Sequence, residues 1–478
     1  MIDIMKQISY IFVLVIFYLL IIVLEVYSAE QLTLSQCIQI GVSNAFSIKK
    51  HENILKIYNE QLHSSYGNLL PSIDAGFDYL PYNRSFQQLV DMGELLNPQA
   101  TRTYKYYTAQ TTSNDANYFI RGSLTLFDGM SNIYKIKSSI SQNLGYQNLL
   151  KREKEQIVYD ILKYYYQLML DKELLTIADE NLLLSNKTLD KITVKVKTGD
   201  LPVSDLYQQQ AKVSDYKLLS LQRQNAVTID KINLLNKIGY PDIDDSIVFE
   251  NITLPSFTNF PELDKNELIK TALSNRSDYL SKQYFAEANK FIINISKSEL
   301  YPKVNLITQL SAFGTEASSY RLNDIPYYIG SQTNVFDMLF KNTALLYGLQ
   351  IKWKIFDGFT TSTNIQKSKL EYLNSVIELD EIKSRISTDI YILIADYNSS
   401  LNKIKATDSG LIAANQAYST ISERFNLGLA DFTDLAEAHA SLVKAKSERV
   451  QALYNMDFQS KVISYYTGLL NQASYTNN

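Results

Sequence analysis

One cysteine and three histidines in 478 residues leave almost nothing from which to build a disulfide framework or a multi-cysteine metal site. Cys37 reads as a small residue on a helix face. His51, His63 and His439 are scattered along the chain. No His-Glu-x-x-His, Gly-x-Ser-x-Gly or phosphate-binding glycine loop occurs, so the sequence offers no catalytic, cofactor or metal site and an enzyme has little support. Charge of one sign is lacking too. With 46 Lys plus Arg against 50 Asp plus Glu, the net charge of -4 provides no basic field for a nucleic-acid backbone. Long apolar runs are absent after residue 24, so a mature chain that crosses a membrane does so as strands.

The chain does have 46% apolar residues, enough to bury a core. Lys6 is followed by an apolar run from Ile8 to Leu24 and then by Val26-Tyr27-Ser28-Ala29, which ends in small residues. This reads as an export signal over 1–29. The run exceeds the usual length, so a retained membrane anchor stays open as a second reading. Cys37 lies too far past the small-residue site, and without a lipobox, for a lipoprotein.

From there the sequence is written twice. Leu126-Phe127-Asp128-Gly129 returns as Ile355-Phe356-Asp357-Gly358, an offset of 229 shared by Gly199 with Gly428, by Asp205-Leu206 with Asp434-Leu435, and by Gly239 with Gly468. Upstream, Leu70-Pro71-Ser72-Ile73 matches Tyr301-Pro302-Lys303-Val304 and Ser43-Asn44 matches Ser274-Asn275, at an offset of 231. Two tandem structural repeats, 30–240 and 262–470, joined by a proline-bearing linker 241–261 and followed by a tail 471–478, account for these matches.

Scarce helix breakers define the parts of each repeat. None of the nine prolines falls between Pro98 and Pro202 or after Pro326, and Gly145 is the only glycine between Gly129 and Gly199. Ser131 to Thr198 is therefore expected to be one helix of roughly 100 Å. Its apolar positions Ile157, Ile161, Tyr164, Leu168, Leu175, Ala178, Leu182, Leu189, Ile192 and Val196 step by threes, fours and sevens, a heptad seam. The second copy repeats it from Ile386 to Phe425, weakened only at Thr407. Shorter helices are expected near 33–67, 203–238, 264–299 and 432–468.

Between the short and long helices the period changes to two. Ile73, Ala75, Phe77 and Tyr79 alternate with Ser72, Asp74, Gly76 and Asp78; Tyr347, Leu349, Ile351, Trp353 and Ile355 alternate with Gly348, Gln350, Lys352 and Lys354. Segments near 118–127 and 303–313 alternate less regularly. About ten residues suits a tilted strand crossing a bilayer, with Leu349, Ile351 and Trp353 toward lipid, although an amphipathic soluble sheet has the same pattern. The intervening stretches 80–117 and 314–342, rich in Tyr, Gln, Thr and Asn, are expected to be exposed outer loops. Four strands leave two open edges, which in hydrocarbon must close on strands of other subunits.

The export signal, the duplicated helix, strand, strand, helix order, Phe-Asp-Gly after the second strand and the Gly-x5-Asp-x-Leu helix hairpins together resemble the TolC family of outer-membrane efflux and secretion proteins. The resemblance implies a mixed α and β membrane protein: a homotrimer whose four strands per chain form a twelve-stranded β-barrel in outer-membrane lipid, continued by an α-helical coiled-coil tunnel in the periplasm. It implies a periplasmic adaptor (membrane fusion) protein and an inner-membrane pump as partners. The function implied is an exit duct for efflux of drugs or small molecules, or for type I secretion of proteins.

The resemblance also places the hairpin tips, Gly199, Asp205 and Gly428, at the periplasmic end and maps the aperture acids onto Asp434 and Glu437. Six carboxylates at such a mouth attract cations. Acids in the first turn of a helix are also favoured by the dipole alone. The family's closed-state lock does not carry over: its acceptor is present as Asp205, but the donors correspond to Phe425 and Ala430, which have none, and Arg424 is the nearby substitute. A structural coiled-coil or adhesin-like surface protein without transport is the alternative function; it explains the heptads but leaves the strands unused.

Overall fold

The computed structural model describes residues 31–91, 104–240, 247–254, 262–322, 325–327 and 334–470. The export-signal segment, most of the 241–261 linker and the 471–478 tail lie outside these residues. In chain order the elements are β1 (Gln31–Leu32), α1 (Leu34–Asn44), α2 (Phe46–Gly67), β2 (Ser72–Asp91), β3 (Tyr104–Phe127), α3 (Ser131–Lys197), α4 (Val203–Ile238) and β4 (Val248–Phe249). They continue with α5 (Lys265–Asn275), α6 (Ser277–Ser298), β5 (Lys303–Leu322), β6 (Ile325–Tyr327), α7 (Val335–Lys341), β7 (Thr343–Lys352), α8 (Thr360–Asn426) and α9 (Phe432–Tyr466).

The two long helices each run 67 residues, about 100 Å of α-helix. Each starts from the aspartate of its Phe-Asp-Gly. Asp128 Oδ2 accepts the Asn132 N–H at 2.9 Å, and Asp357 Oδ2 accepts the Thr361 N–H at 3.1 Å, satisfying donors that a helix start leaves free. The expected single helices 33–67 and 264–299 are each broken in two. At the second break Arg276 takes an extended ψ of 117° while its guanidinium is held by Asp278 and Asp389 at 2.8 and 3.0 Å. At the first, Ala45 turns its buried side chain into the core.

Contacts group the chain into two compact units, one holding residues 58–143 and 285–375, the other holding the remainder. In the helical unit the seam residues Ile157, Ile161 and Leu168 are buried, and so are Val158, Leu162, Tyr165 and Met169 beside them. This second stripe packs on Cys37 and Ile38 of α1, Leu234, Leu235 and Ile238 of α4, and the β1–β4 pair. Each such fully buried side chain contributes about 1.5–3 kcal/mol. Burial pushes the Cys37 thiol up to about 12, an inert core residue. The second copy buries Ile386, Ile390 and Leu393 against Ala272 and Val462.

The other unit is built on an antiparallel sheet in the order β2-β3-β5-β7, with β6 a short addition to β5. Here two expectations are corrected. Residues 80–91 and 104–117 are not a loop: they extend β2 and β3 as a paired ladder from Leu80↔Asp115 to Asp91↔Tyr104. Likewise 314–342 contains the end of β5, β6 and α7. Beyond Tyr79 the apolar residues, among them Leu80, Phe86 and Leu89, no longer keep a period of two, but backbone pairing continues and Tyr and Thr favour it. Trp353 and Ile355 lie past the end of β7, because the β5 partner strand begins at Lys303 opposite Lys352.

Candidate functional site

The hairpin between α3 and α4 and that between α8 and α9 share one geometry. At the first, the Gly199 N–H bonds the Val196 carbonyl at 3.2 Å and the Asp200 N–H bonds that of Lys195 at 2.8 Å; at the second, Gly428 bonds Phe425 at 3.1 Å and Leu429 bonds Arg424 at 2.7 Å. Both glycines have positive φ, 83° and 74°. This is the paired bonding of a left-handed helix C-terminus, which glycine adopts without steric cost.

The following helices start differently. Pro202 caps α4 without a side-chain hydrogen bond, and Asp205 lies half-buried in its first turn. Asp431 caps α9, its Oδ1 accepting the Asp434 N–H at 2.8 Å. Asp434 and Glu437 follow on one exposed face, three residues apart, and neither joins an ion pair among the described residues. Their charge is thus left to the solvent side of the turn.

The two tips meet over an apolar cluster of Ile192, Phe425, Phe432 and Leu435, with Leu201, Leu206 and Ala430 against it. Phe425 and Ala430 therefore pack where a polar lock was expected to be missing. Arg424 does not reach Asp205; its Nη2 donates to the Leu429 carbonyl at 3.3 Å, within its own hairpin. The link between hairpins comes instead from Lys195, whose Nζ donates to the Phe425 carbonyl at 3.3 Å and lies 4.8 Å over the Phe425 ring. No spacing or period in the sequence marks Lys195 out.

One layer back, His439 is buried between Tyr216 of α4 and Tyr418 of α8, ring centroids 5.4 Å away on each side. Its Nδ1 is 3.4 Å from the Tyr216 hydroxyl and its Nε2 has no partner among the described residues. Burial holds its pKa below the ordinary histidine range, with the Lys446 charge adding to the effect. His439 continues the stripe of Phe432 and Leu435 at heptad spacing, which is the signal that marks it as a core position. Among the described residues His51 bonds the Ser47 carbonyl, at 2.9 Å. No group of residues fit to hold a metal ion occurs among those described.

In the sheet unit the register sets the faces. Ile73, Ala75, Phe77 and Tyr79 line up with Gly122, Ile120, Tyr118 and Ala116, and these with Thr308, Leu310, Ala312 and Gly314. Leu349 and Ile351 stand opposite Leu306 and Val304 on this same apolar face, and both are exposed. Trp353, also exposed, is beyond the strand, its indole N–H donating to the Leu300 carbonyl at 3.1 Å. The opposite face carries Asp74, Asp78, Asn117, Gln350 and Lys352, with Arg121 bonded to Gln309 at 2.9 Å. No helix among the described residues is long and apolar enough to cross a membrane.

The family model described as outer membrane efflux protein matches residues 268–468. Over 447 residues the chain is 18% identical to the outer membrane protein TolC of Salmonella enteritidis, covering 91% of this chain and 86% of that protein. Among solved structures it is similar in fold to CusC, with a TM-score of 0.72, 14% identity and 91% of each chain covered. It is also similar to the outer-membrane channel OprN, with a TM-score of 0.70, 16% identity and coverage of 92% of this chain and 90% of that one.

Proposed function

The chain belongs to the TolC-type outer-membrane efflux family, and from that premise we propose that it is one subunit of a closed exit duct through the outer membrane. The observation that carries this reading is a sheet with one exposed apolar face and one polar face, whose outer strands β2 and β7 each keep an unpaired edge among the described residues. Hydrocarbon cannot hydrogen-bond such edges, so closure on neighbouring copies satisfies them. Three copies give a twelve-stranded barrel, an even number within the bacterial range. A stalk or adhesin has no use for the apolar face.

The two repeats, 30–240 and 262–470, each supply two barrel strands and a share of the periplasmic tunnel. The polar face carrying Asp74, Asp78, Arg121 and Lys352 lines the bore. The α3–α4 and α8–α9 hairpins of each subunit form a constricted mouth, where Asp434 and Glu437, in no ion pair among the described residues, present a ring of carboxylates. The duct itself performs no chemistry. It opens and closes, and an inner-membrane pump working through a periplasmic adaptor drives its cargo.

Single-channel recording on purified protein in a planar bilayer tests this. Discrete cation-selective openings are expected; a well-folded protein that never conducts, even with the hairpin contacts removed, overturns the duct.

A further inference from the structure

We propose that α7 is an interfacial anchor which seats Phe336 and Phe340 in the outer boundary of the lipid leaflet, completing an aromatic girdle that the barrel strands alone leave open. This inference rests on the barrel reading above.

The seat of α7 is made of small residues. Val335 and Leu339, one helical turn apart, are 2% and 4% exposed and pack on Ala116 of β3 and Ala312 of β5. Beside them Gly314 lies so close that a Cβ there would stand 2.3 Å from the Val335 carbonyl oxygen. Ala116, Ala312 and Gly314 are successive positions of the apolar face, in register with the rows that hold Leu310, Leu306 and Leu349. The helix therefore lies on the lipid-facing side of the sheet, not on the side of the bore.

Both ends of α7 are fixed. Asn334 Oδ1 accepts the Phe336 N–H at 3.0 Å. After the helix, the Asn342 carbonyl accepts the Phe313 N–H at 3.3 Å. With Val335 and Leu339 turned to the sheet, Phe336 and Phe340 share one flank. Phe336 stacks on Tyr79 of β2 at 6.0 Å and 11°. Phe340 is 82% exposed, followed by the charged Lys341. A large apolar ring next to a cation, on a helix lying against an apolar wall, is the composition of a membrane interface rather than of open water.

The level agrees. From Val304 to Ala312 the strand rises about 27 Å, or roughly 20 Å along the membrane normal once tilted, which brings α7 to the edge of an apolar band about 25 Å tall. Aromatic girdles sit at such edges. β7 reaches this level with Thr343 and Ala344, which carry no ring, so α7 supplies the aromatics there. Continuity with the lipid face of β5 and β7 favours lipid over a second copy of the chain as the occupant.

The test uses tryptophan fluorescence in a Trp353→Phe background, where no other tryptophan exists. Phe340→Trp, Phe336→Trp and, as a reference inside the band, Leu349→Trp are reconstituted in phosphatidylcholine vesicles carrying doxyl groups near the headgroup or deep in the chain. The α7 probes are expected to lose more fluorescence to the shallow label than to the deep one, and Leu349→Trp the reverse. Quenching of Leu349→Trp without quenching of either α7 probe overturns the anchor, since α7 then lies in water or under a neighbouring subunit. Failure of all three removes the barrel reading as well.

Discussion

Lys195 and Phe425, on different hairpins, are joined twice: the ammonium stands over the ring at 4.8 Å and donates to the carbonyl of the same residue at 3.3 Å. That carbonyl also accepts the Gly428 N–H at 3.1 Å. The cation thus holds the turn of the second hairpin as well as its aromatic side chain, at the position where Phe425 and Ala430 offer no side-chain donor for a polar lock.

Lys195→Met keeps the aliphatic stem and removes the charge. A partly buried cation over a ring is worth about 1–2 kcal/mol. If the hairpins must part for the mouth to open, the variant is expected to raise the open fraction about five- to thirty-fold. Single-channel open probability measures it, and an unchanged value at unchanged protein stability removes Lys195 from the closure.

Asp434 and Glu437 lie on one exposed face with no cation paired to them among the described residues, so their field acts on ions in solution. The double variant Asp434→Ala, Glu437→Ala is expected to lower the preference for K+ over Cl− without unfolding the protein. The loss should be largest at low salt, because screening already weakens these charges above about 0.1 M. Reversal potentials across a salt gradient read this directly.

What the sequence made legible follows from periodicity. The long helices appear because breakers are absent and apolar residues keep a seam; Ile386, Ile390, Leu393, Tyr397, Ile404 and Phe425 are all buried at positions transferred from the first copy. The extended hairpin of β2 and β3 was hidden because its few apolar residues, Leu80, Phe86 and Leu89 among them, do not alternate with polar ones. α7 was hidden because seven residues make barely two turns. Lys195 was hidden because its partner is a backbone carbonyl 230 residues away, and no local pattern encodes that contact.

His439 gives the helical unit a pH dependence. Tyr216 faces it from α4, Tyr418 from α8, Lys446 adds a positive charge from α9, and Lys212 lines the same pocket. No carboxylate is among these groups to stabilise an imidazolium. Its pKa in the folded protein is lowered, so the unfolded chain binds the proton more readily. The stability it contributes is complete above the ordinary histidine pKa of about 6.5 and is lost as pH falls below that value. Thermal unfolding between pH 7.5 and 5.5 should show a steeper acid loss for wild type than for His439→Gln. Equal slopes would mean that another group carries the transition.

The apolar face of β7 makes a graded prediction. Tyr347 and Leu349 lie near the middle of this ten-residue strand, whereas Ile351 is one residue from its end, opposite Val304. Arginine on the lipid face of a barrel costs about 2–4 kcal/mol at the midplane and falls to about 0–1 kcal/mol near the interface. Leu349→Arg should therefore destabilise the assembled protein clearly more than Ile351→Arg, whose side chain can reach the headgroups. Gln350→Arg, between them but on the polar face, should cost little, since that face meets water. Unfolding of the reconstituted protein in denaturant ranks the three. A soluble amphipathic sheet would also penalise Leu349→Arg over Gln350→Arg, but it has no membrane depth to separate Leu349 from Ile351. A flat response along 349 and 351 would place this face against protein rather than lipid.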